Sequence, residues 1–129
     1  MNALLDTHVW IWLLEEPSRI AEPVLQQLEA ADTLVLSVAS MWEVAIKKEL
    51  GKLAMKSSLE VMRDEILREM HASELAIQTA HALGAARLPK LHKDPFDRML
   101  VAQAQVEDLV LVTADETVRQ YGGSVLWAG

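Results

Sequence analysis

The sequence contains no cysteine, which excludes a disulfide framework and any thiolate metal site and is compatible with a reducing compartment. Aromatic residues make up only 5% of the chain against a hydrophobic fraction of 51%. With no low-complexity tract, charge block or internal repeat, that balance belongs to ordered globular structure without a disordered tail. Positive charge is scarce: 12 Lys and Arg face 19 Asp and Glu, a net charge of −7. That is the wrong sign for holding nucleic acid mainly through a basic surface. Clustered carboxylates can supply local help instead, by binding divalent cations that cancel their charge and attract phosphate. Long apolar runs are missing too: Val9 to Leu14 falls far short of the roughly 20 residues of a membrane span. No basic segment of the signal-peptide kind precedes it. The expectation is a soluble, cytoplasmic protein with no membrane association. Its 129 residues fit one compact domain, residues 1–129, with a real core.

What is present alternates between two periodicities. Ala3 to Leu5 read as a short buried strand, and Thr7 to Glu16 as a helix closed by Pro17. From Ser18 to Ala31, apolar Ile20, Val24, Leu25 and Leu28 recur at helical spacing, and Thr33 to Leu36 form a β-rich run. Val38, Met41, Trp42, Ala45 and Ile46 then mark one apolar stripe of a helix stopped by Gly51. At 3.6 residues per turn, Ser40, Glu43 and Lys47 share its opposite, polar face.

Ser57 or Ser58 caps a helix to about Met70 that buries Leu59, Met62, Ile66 and Leu67. His71 to Leu75 fit neither period. A helix from Ile77 to about Ala86 leads into the loop Leu88-Pro89-Lys90-Leu91-His92-Lys93, which with Arg87 forms the main basic cluster. Asp94-Pro95-Phe96-Asp97 is a helix start with proline at its favoured first position. The strand Leu109 to Thr113, a short helix Glu116 to Tyr121, a Gly122-Gly123 turn and a strand Ser124 to Trp127 finish the chain.

Strands separated by helical patterns predict an α/β fold of three layers, with a mainly parallel central sheet of four to five strands. Ligands of such sheets bind at the carboxyl ends of the strands. Asp6, Asp115 and the residues after Leu36 fall on that edge. Each acid also has a purely structural explanation. Asp6 and Asp94 sit where N-caps sit, and Asp97 stands where a capping-box acid would. Thr113 and Glu116 bracket Asp115 as a second capping box, and Glu43 with Lys47 is a well-oriented i, i+4 ion pair. Asp97 resists dismissal best, because it lies in line with Leu100, Val101 and Ala104 on a face destined for burial. A buried carboxylate needs a partner. An oxygen-only ligand set suits Mg²⁺ or Mn²⁺.

Four separated stretches carry a resemblance: Leu4-Leu5-Asp6-Thr7-His8-Val9-Trp10, Ser40-Met41-Trp42-Glu43-Val44-Ala45-Ile46-Lys47, His92-Lys93-Asp94-Pro95-Phe96-Asp97-Arg98-Met99-Leu100 and Leu111-Val112-Thr113-Ala114-Asp115. In order and spacing the chain resembles the PIN-domain ribonucleases, specifically the VapC-type toxins of toxin–antitoxin pairs. The resemblance implies a metal-dependent endoribonuclease in which Asp6, Glu43, Asp97 and Asp115 are the acidic quartet. Asp6 and Asp97 would be the principal metal ligands, and Glu43 and Asp115 further ligands or holders of metal-bound water. Like charges in one pocket raise one another's pKa values, so the quartet requires Mg²⁺ or Mn²⁺. Such an ion can acidify and orient a water for attack on phosphorus, and the resemblance implies 5′-phosphate and 3′-hydroxyl product ends.

Thr113 matches the hydroxyl residue beside the last acid, and Asp94 is left as a cap. Lys47 pairs with Glu43 or supports the site. Arg87, Lys90, His92, Lys93 and Arg98 either contact RNA phosphates or form a solvated loop, the latter being the simpler reading, and Arg98 is also counted with Thr113 and Lys47 as a supporting site residue. His8, His71 and His81 read as structural, and Trp10, Trp12, Met41 and Trp42 as core. The resemblance further implies a cognate antitoxin and a homodimer, with no organic cofactor. Two other readings remain: a Mg²⁺-binding phosphoacceptor receiver domain, or a catalytically silent PIN module. The receiver lacks support where Asp6 is followed by Thr7 rather than by a second acid.

Overall fold

The computed structural model describes residues Met1 to Gly129. Five parallel strands run in the order β3-β2-β1-β4-β5: β1 (Asn2–Leu5), β2 (Thr33–Ser37), β3 (Ser73–Leu75), β4 (Val110–Thr113) and β5 (Val125–Trp127). Seven helices connect them: α1 (Thr7–Glu15), α2 (Glu22–Glu29), α3 (Val38–Glu49), α4 (Leu59–Glu69), α5 (Thr79–Arg87), α6 (Pro95–Val106) and α7 (Glu116–Arg119). This is the predicted α/β architecture, with the strand count at its upper value. None of the helices is long and apolar enough to cross a membrane.

Alternation along the strands separates two apolar layers, as the two-residue period of a pleated strand requires. Leu4 is aligned with Val35 and Leu111, and these three face Leu100, Val101 and Ala104 of α6. Ala3, Leu5, Leu34, Leu36 and Val112 face the other way, against α1, α2 and α4 through Trp10, Val24, Leu28, Met62 and Ile66. Each side of the sheet is thus covered by helices, as an all-parallel sheet demands.

The order in which strands are added switches sides at β1. The first strands step outward through β2 to β3, whereas β4 and β5 add on the opposite flank. The carboxyl ends of β1 and β4 therefore border the topological switch point, where an open α/β sheet presents its ligand crevice. The order also differs from the 2-1-3-4-5 arrangement of receiver-type folds, which removes that alternative.

Three local expectations change. The helix read from Ser18 is two elements, a 3-10 turn at Pro17–Arg19 and α2 from Glu22. Pro23 is tolerated only in the first turn of a helix, so no helix can run through it from Ser18. The ambiguous His71 to Leu75 contains β3, an edge strand of three residues defined by its pairing with β2, beside which Glu74 pairs with Arg63.

The largest change concerns α3. Its polar face is the buried one: Ser40 and Glu43 are inside with Ala39 and Val44, while Trp42, on the apolar stripe, is 59% exposed and Met41 and Ile46 are half-buried. Packing against the acidic edge, not hydrophobicity, sets this helix's rotation. Its stop is as predicted, with Gly51 at φ 72° and Lys52 N–H donating to Lys47 O at 2.9 Å.

Candidate active site

Asp6 follows β1 directly. Its backbone N–H donates to Val112 O at 2.9 Å, so the β1–β4 ladder extends onto the acid itself. It caps α1 through Oδ1, which accepts from Thr7 N–H at 2.7 Å, while Oδ2 accepts from the Thr113 hydroxyl at 2.6 Å. Burial raises its pKa above the ordinary 3.8, and the Glu43 charge adds to the rise, whereas the bonds from Thr113 and Thr7 oppose it. Capping and site membership therefore coexist in one carboxylate.

Glu43 reaches the same region from α3 and is 2% exposed. Its Oε1 accepts from the Thr7 hydroxyl at 2.6 Å, and its Oε2 pairs with Lys47. Thr7 has one hydroxyl proton, so its 2.5 Å contact with Ser40 Oγ must be donated by Ser40. Ser40 in turn accepts from Trp10 Nε1 at 2.8 Å. The bonds thus run one way, from indole to Ser40 to Thr7 to the Glu43 carboxylate, all between buried side chains. For Lys47, burial lowers the pKa, but Glu43, Asp94 and Asp97 outweigh it and leave it raised.

Asp97 is the electrostatic centre. It is 9% exposed, and its pKa is pushed up to about 8 by burial first, then by the charges of Asp6, Asp94, Glu43 and Asp115. The capping box expected with Asp94 does not form as such. Asp94 Oδ1 accepts from Phe96 and Asp97 N–H at 2.8 and 3.2 Å, but the Asp94 N–H points to His92 Nδ1 at 3.5 Å. The Asp97 carboxylate is thereby left to the site.

Asp115, just beyond β4, caps α7 with Oδ1 accepting from Thr117 and Val118 N–H at 2.8 and 3.2 Å. The second capping box is also absent, because Asp115 rather than Thr113 is the cap. Thr113 Oγ1 instead donates to Asp6 and accepts from Asp115 N–H at 3.0 Å, joining two acids through one hydroxyl. Beside them lies a hollow of about 250 Å³ lined by Asp6, His8, Trp12, Ala114 and Asp115.

The four acids expected from the sequence thus gather at one sheet edge, and two residues not counted among them join. Ligand atoms of Glu43, Asp94 and Asp97 lie within 4.8 Å of one another, as do those of His92, Asp97 and Asp115. Asp97 belongs to both groups, while Asp6 adjoins them through its charge on Asp97. His92 Nε2 is 2.8 Å from Asp97 Oδ2 and 4.0 Å from Asp115 Oδ2 and makes no aligned hydrogen bond. His92 is therefore neither a solvated loop residue nor free to meet phosphate. Its neighbours Arg87, Lys90 and Lys93 are exposed, as a solvated loop predicts.

Arg98 turns inward, as a supporting residue would. Nη2 donates to the carbonyls of Ala85 and Leu88 at 2.7 and 3.1 Å, and Nη1 to Pro89 O at 3.0 Å, His92 O at 3.4 Å and Tyr121 Oη at 3.3 Å. Its donors are engaged with the loop that carries His92, so it shapes the site rather than reading phosphate. Thr7, Ser40, Asp94 and His92 are the site residues that sequence reasoning left out or gave another role. The signal for Ser40 was its place on the face of Glu43.

This donor set fits a divalent cation. Carboxylate oxygens from separate elements converge, and burial together with their mutual repulsion already favours a bound proton on Asp97 at neutral pH. Hard oxygen donors match Mg²⁺ or Mn²⁺, and an imidazole within reach favours the latter more.

Comparison with known proteins agrees with the fold. Residues 3–124 match the PIN domain family. Over 121 residues the chain is 29% identical to a protein named Ribonuclease VapC22 from Mycobacterium tuberculosis (strain ATCC 25618 / H37Rv), covering 93% of this chain and 92% of that one. VapBC2 from Rickettsia felis, solved bound to a DNA fragment from its promoter, superposes with a TM-score of 0.75 at 15% identity over 100% of both chains. A toxin–antitoxin complex from Klebsiella pneumoniae gives 0.67 at 20% identity, over 96% of this chain and 95% of that one. FitAcB from Neisseria gonorrhoeae gives 0.65 at 18%, over 96% of each. At these identities the solved structures speak for the fold, and the family match, which takes in all four acids, settles the assignment: the chain belongs to the PIN-domain family.

Proposed function

We propose that this protein is a divalent-metal-dependent endoribonuclease and the toxin of a toxin–antitoxin pair. The observation that carries the reading is Asp97, a carboxyl pushed up to about 8 by burial and by the charges of Asp6, Asp94, Glu43 and Asp115. Such a constellation is costly unless something positive is held there, and structural capping explains neither its burial nor its convergence. The likeness to a protein named as a VapC ribonuclease supports RNA as the substrate class. Likeness to solved toxin–antitoxin complexes supports a protein antitoxin as partner.

Asp6, Asp97, Glu43 and Asp115 would hold Mg²⁺ or Mn²⁺, with Asp94 and His92 in reach. When bound, the ion supplies charge compensation for the scissile phosphate and a more acidic water. Thr113 and Thr7 N–H fix both oxygens of Asp6, and Thr7 with Lys47 fixes both of Glu43. Asp115, the most exposed of the four, keeps Oδ2 free of hydrogen bonds on the open side, where it can orient water. Exposed Arg87, Lys90 and Lys93 would meet RNA phosphates electrostatically. The reading includes a cytoplasmic site of action and a homodimer, with the exposed α3 stripe around Trp42 as surplus apolar surface.

The test is incubation of antitoxin-free protein with structured RNAs in Mg²⁺, in Mn²⁺ and in chelator, beside Asp6→Asn and Asp97→Asn. Cleavage by the wild type alone, and only with metal, is expected. Cleavage that survives chelation or both substitutions overturns the mechanism, and a monodisperse monomer at high concentration overturns the homodimer.

A further inference from the structure

A buried polar network lies outside the acidic cluster, between the two helices that carry Glu43 and Asp97. Ser37 closes β2 and caps α3, its Oγ accepting from Ala39 N–H at 3.1 Å. The same hydroxyl donates to Oε1 of Gln103, on α6, at 2.6 Å. Both side chains are fully buried. The Gln103 amide is oriented by what lies behind it. Nε2 faces Ala76 O at 3.5 Å and His81 Nδ1 at 3.3 Å. His81 Nδ1 already accepts from Gln78 N–H at 3.1 Å, so it offers a lone pair. Turning the amide over would set Oε1 against that lone pair and the Ala76 carbonyl, so Oε1 is committed to Ser37.

The location gives this network its meaning. Ser37 opens α3 and Glu43 lies in its middle, whereas Asp97 lies in the first turn of α6 and Gln103 near its end. The helices pack antiparallel, joined at one level by Ser37 and Gln103 and at the other by the approach of Glu43 to Asp97 within 4.8 Å. An apolar side chain at position 103 would fill the space without desolvating an amide. A buried polar pair instead specifies one register among several that apolar packing permits. A slip of α6 by one residue would shift Asp97 by about 1.5 Å, well beyond the roughly 0.2 Å tolerance of metal–ligand distances.

We propose that Gln103 is a positioning residue of the acidic site: through Ser37, and backed by His81, it sets the register of α6 on α3 and so the approach of Asp97 to Glu43. The consequence for metal binding rests on the function proposed above, whereas the register itself does not.

The experiment compares Gln103→Met, Ser37→Ala, Ser37→Thr and the Ser37→Ala/Gln103→Met double variant with wild type. Ile66→Val, a core deletion away from both helices' polar contacts, serves as the control. Two quantities are read: Mn²⁺ affinity by calorimetry, and, without metal, the ¹H–¹⁵N resonance of the Trp10 indole, whose bond to Ser40 reports the position of α3. Gln103→Met and Ser37→Ala are expected to weaken Mn²⁺ binding about tenfold, in the range found when residues that orient metal ligands are removed, and to move the Trp10 resonance. The double variant should be no worse than the weaker single, as for two halves of one interaction, and Ser37→Thr should match wild type. Ile66→Val should lower stability without changing Mn²⁺ affinity.

A folded Gln103→Met with wild-type affinity and an unmoved resonance overturns the proposal, as does equal weakening by Ile66→Val. If Gln103→Met does not fold, identical behaviour of Ser37→Ala and Ser37→Thr overturns it. Wild-type protein that binds no Mn²⁺ defeats the metal reading instead, and the Trp10 resonance alone then decides the register role.

Discussion

The Thr113 hydroxyl donates to Asp6 Oδ2 at 2.6 Å across 107 positions of sequence, and accepts from the Asp115 N–H at 3.0 Å. One small side chain thus ties the first acid of the quartet to the last. Thr113→Val keeps the shape and removes the bond. It should cost about 1–3 kcal/mol, the penalty for a buried acceptor left unsatisfied, and raise the Asp6 pKa further. Thr113→Ser should restore both stability and Mn²⁺ binding. Thermal melts with Mn²⁺ titration check the pair, and equal behaviour of valine and serine would contradict this role for the hydroxyl.

Asp97 makes the metal-free protein pH-sensitive in a direction fixed by linkage. Its folded pKa of about 8 lies above the ordinary 3.8, so between those values the folded chain holds a proton that the unfolded chain has released. Stability from this group is therefore full below about pH 4 and falls as pH rises towards 8. Melting temperatures of chelated protein from pH 5 to 8 should decline more steeply than those of Asp97→Asn. Mg²⁺ or Mn²⁺ at pH 8 should recover the difference and release protons, since cation and proton compete for the same oxygens.

What the sequence disclosed of this site follows from which interactions leave a local trace. Asp6 and Asp115 end apolar strands and Asp97 interrupts an apolar helix face, so periodicity marked them as candidates, while the resemblance carried by four stretches assigned the quartet. On α3 the same logic misleads, because a face carrying Ser40 and Glu43 reads as solvated. Its burial depends on Thr7 and Trp10, which are remote in sequence. His92 hides for a similar reason, in a proline- and lysine-bearing loop whose inward turn is enforced by Arg98 and Tyr121. β3 is short, exposed and polar, and only its pairing with β2 defines it.

Lys47 should have opposite effects on folding and on metal binding. It is the cation beside Glu43, and its own charge is favoured by Asp94 and Asp97. Lys47→Met leaves a buried carboxylate without its partner and should destabilise the metal-free protein by about 1–2 kcal/mol, allowing for the partial exposure of the lysine. The same change removes a positive charge from the acidic cluster, so Mn²⁺ should bind more tightly. Loss of both stability and affinity would mean that Lys47 shapes the site instead of opposing the cation's charge.

Arg98 and the exposed cations of the same loop should separate cleanly. Arg87→Ala, Lys90→Ala or Lys93→Ala removes a solvated charge, so each should leave stability nearly unchanged. If the residue meets phosphate, RNA binding weakens and the salt dependence falls by about one unit of slope. Arg98→Ala frees the carbonyls of Ala85, Leu88, Pro89 and His92 at once. Its effects should be a lower melting temperature, faster proteolysis between Leu88 and Lys93, and weaker Mn²⁺ binding as His92 leaves Asp97, with the salt slope of RNA binding unchanged. Salt-titrated RNA binding and limited proteolysis on the four variants distinguish the roles. A reduced salt slope in Arg98→Ala with an intact loop would return Arg98 to the phosphate-binding surface.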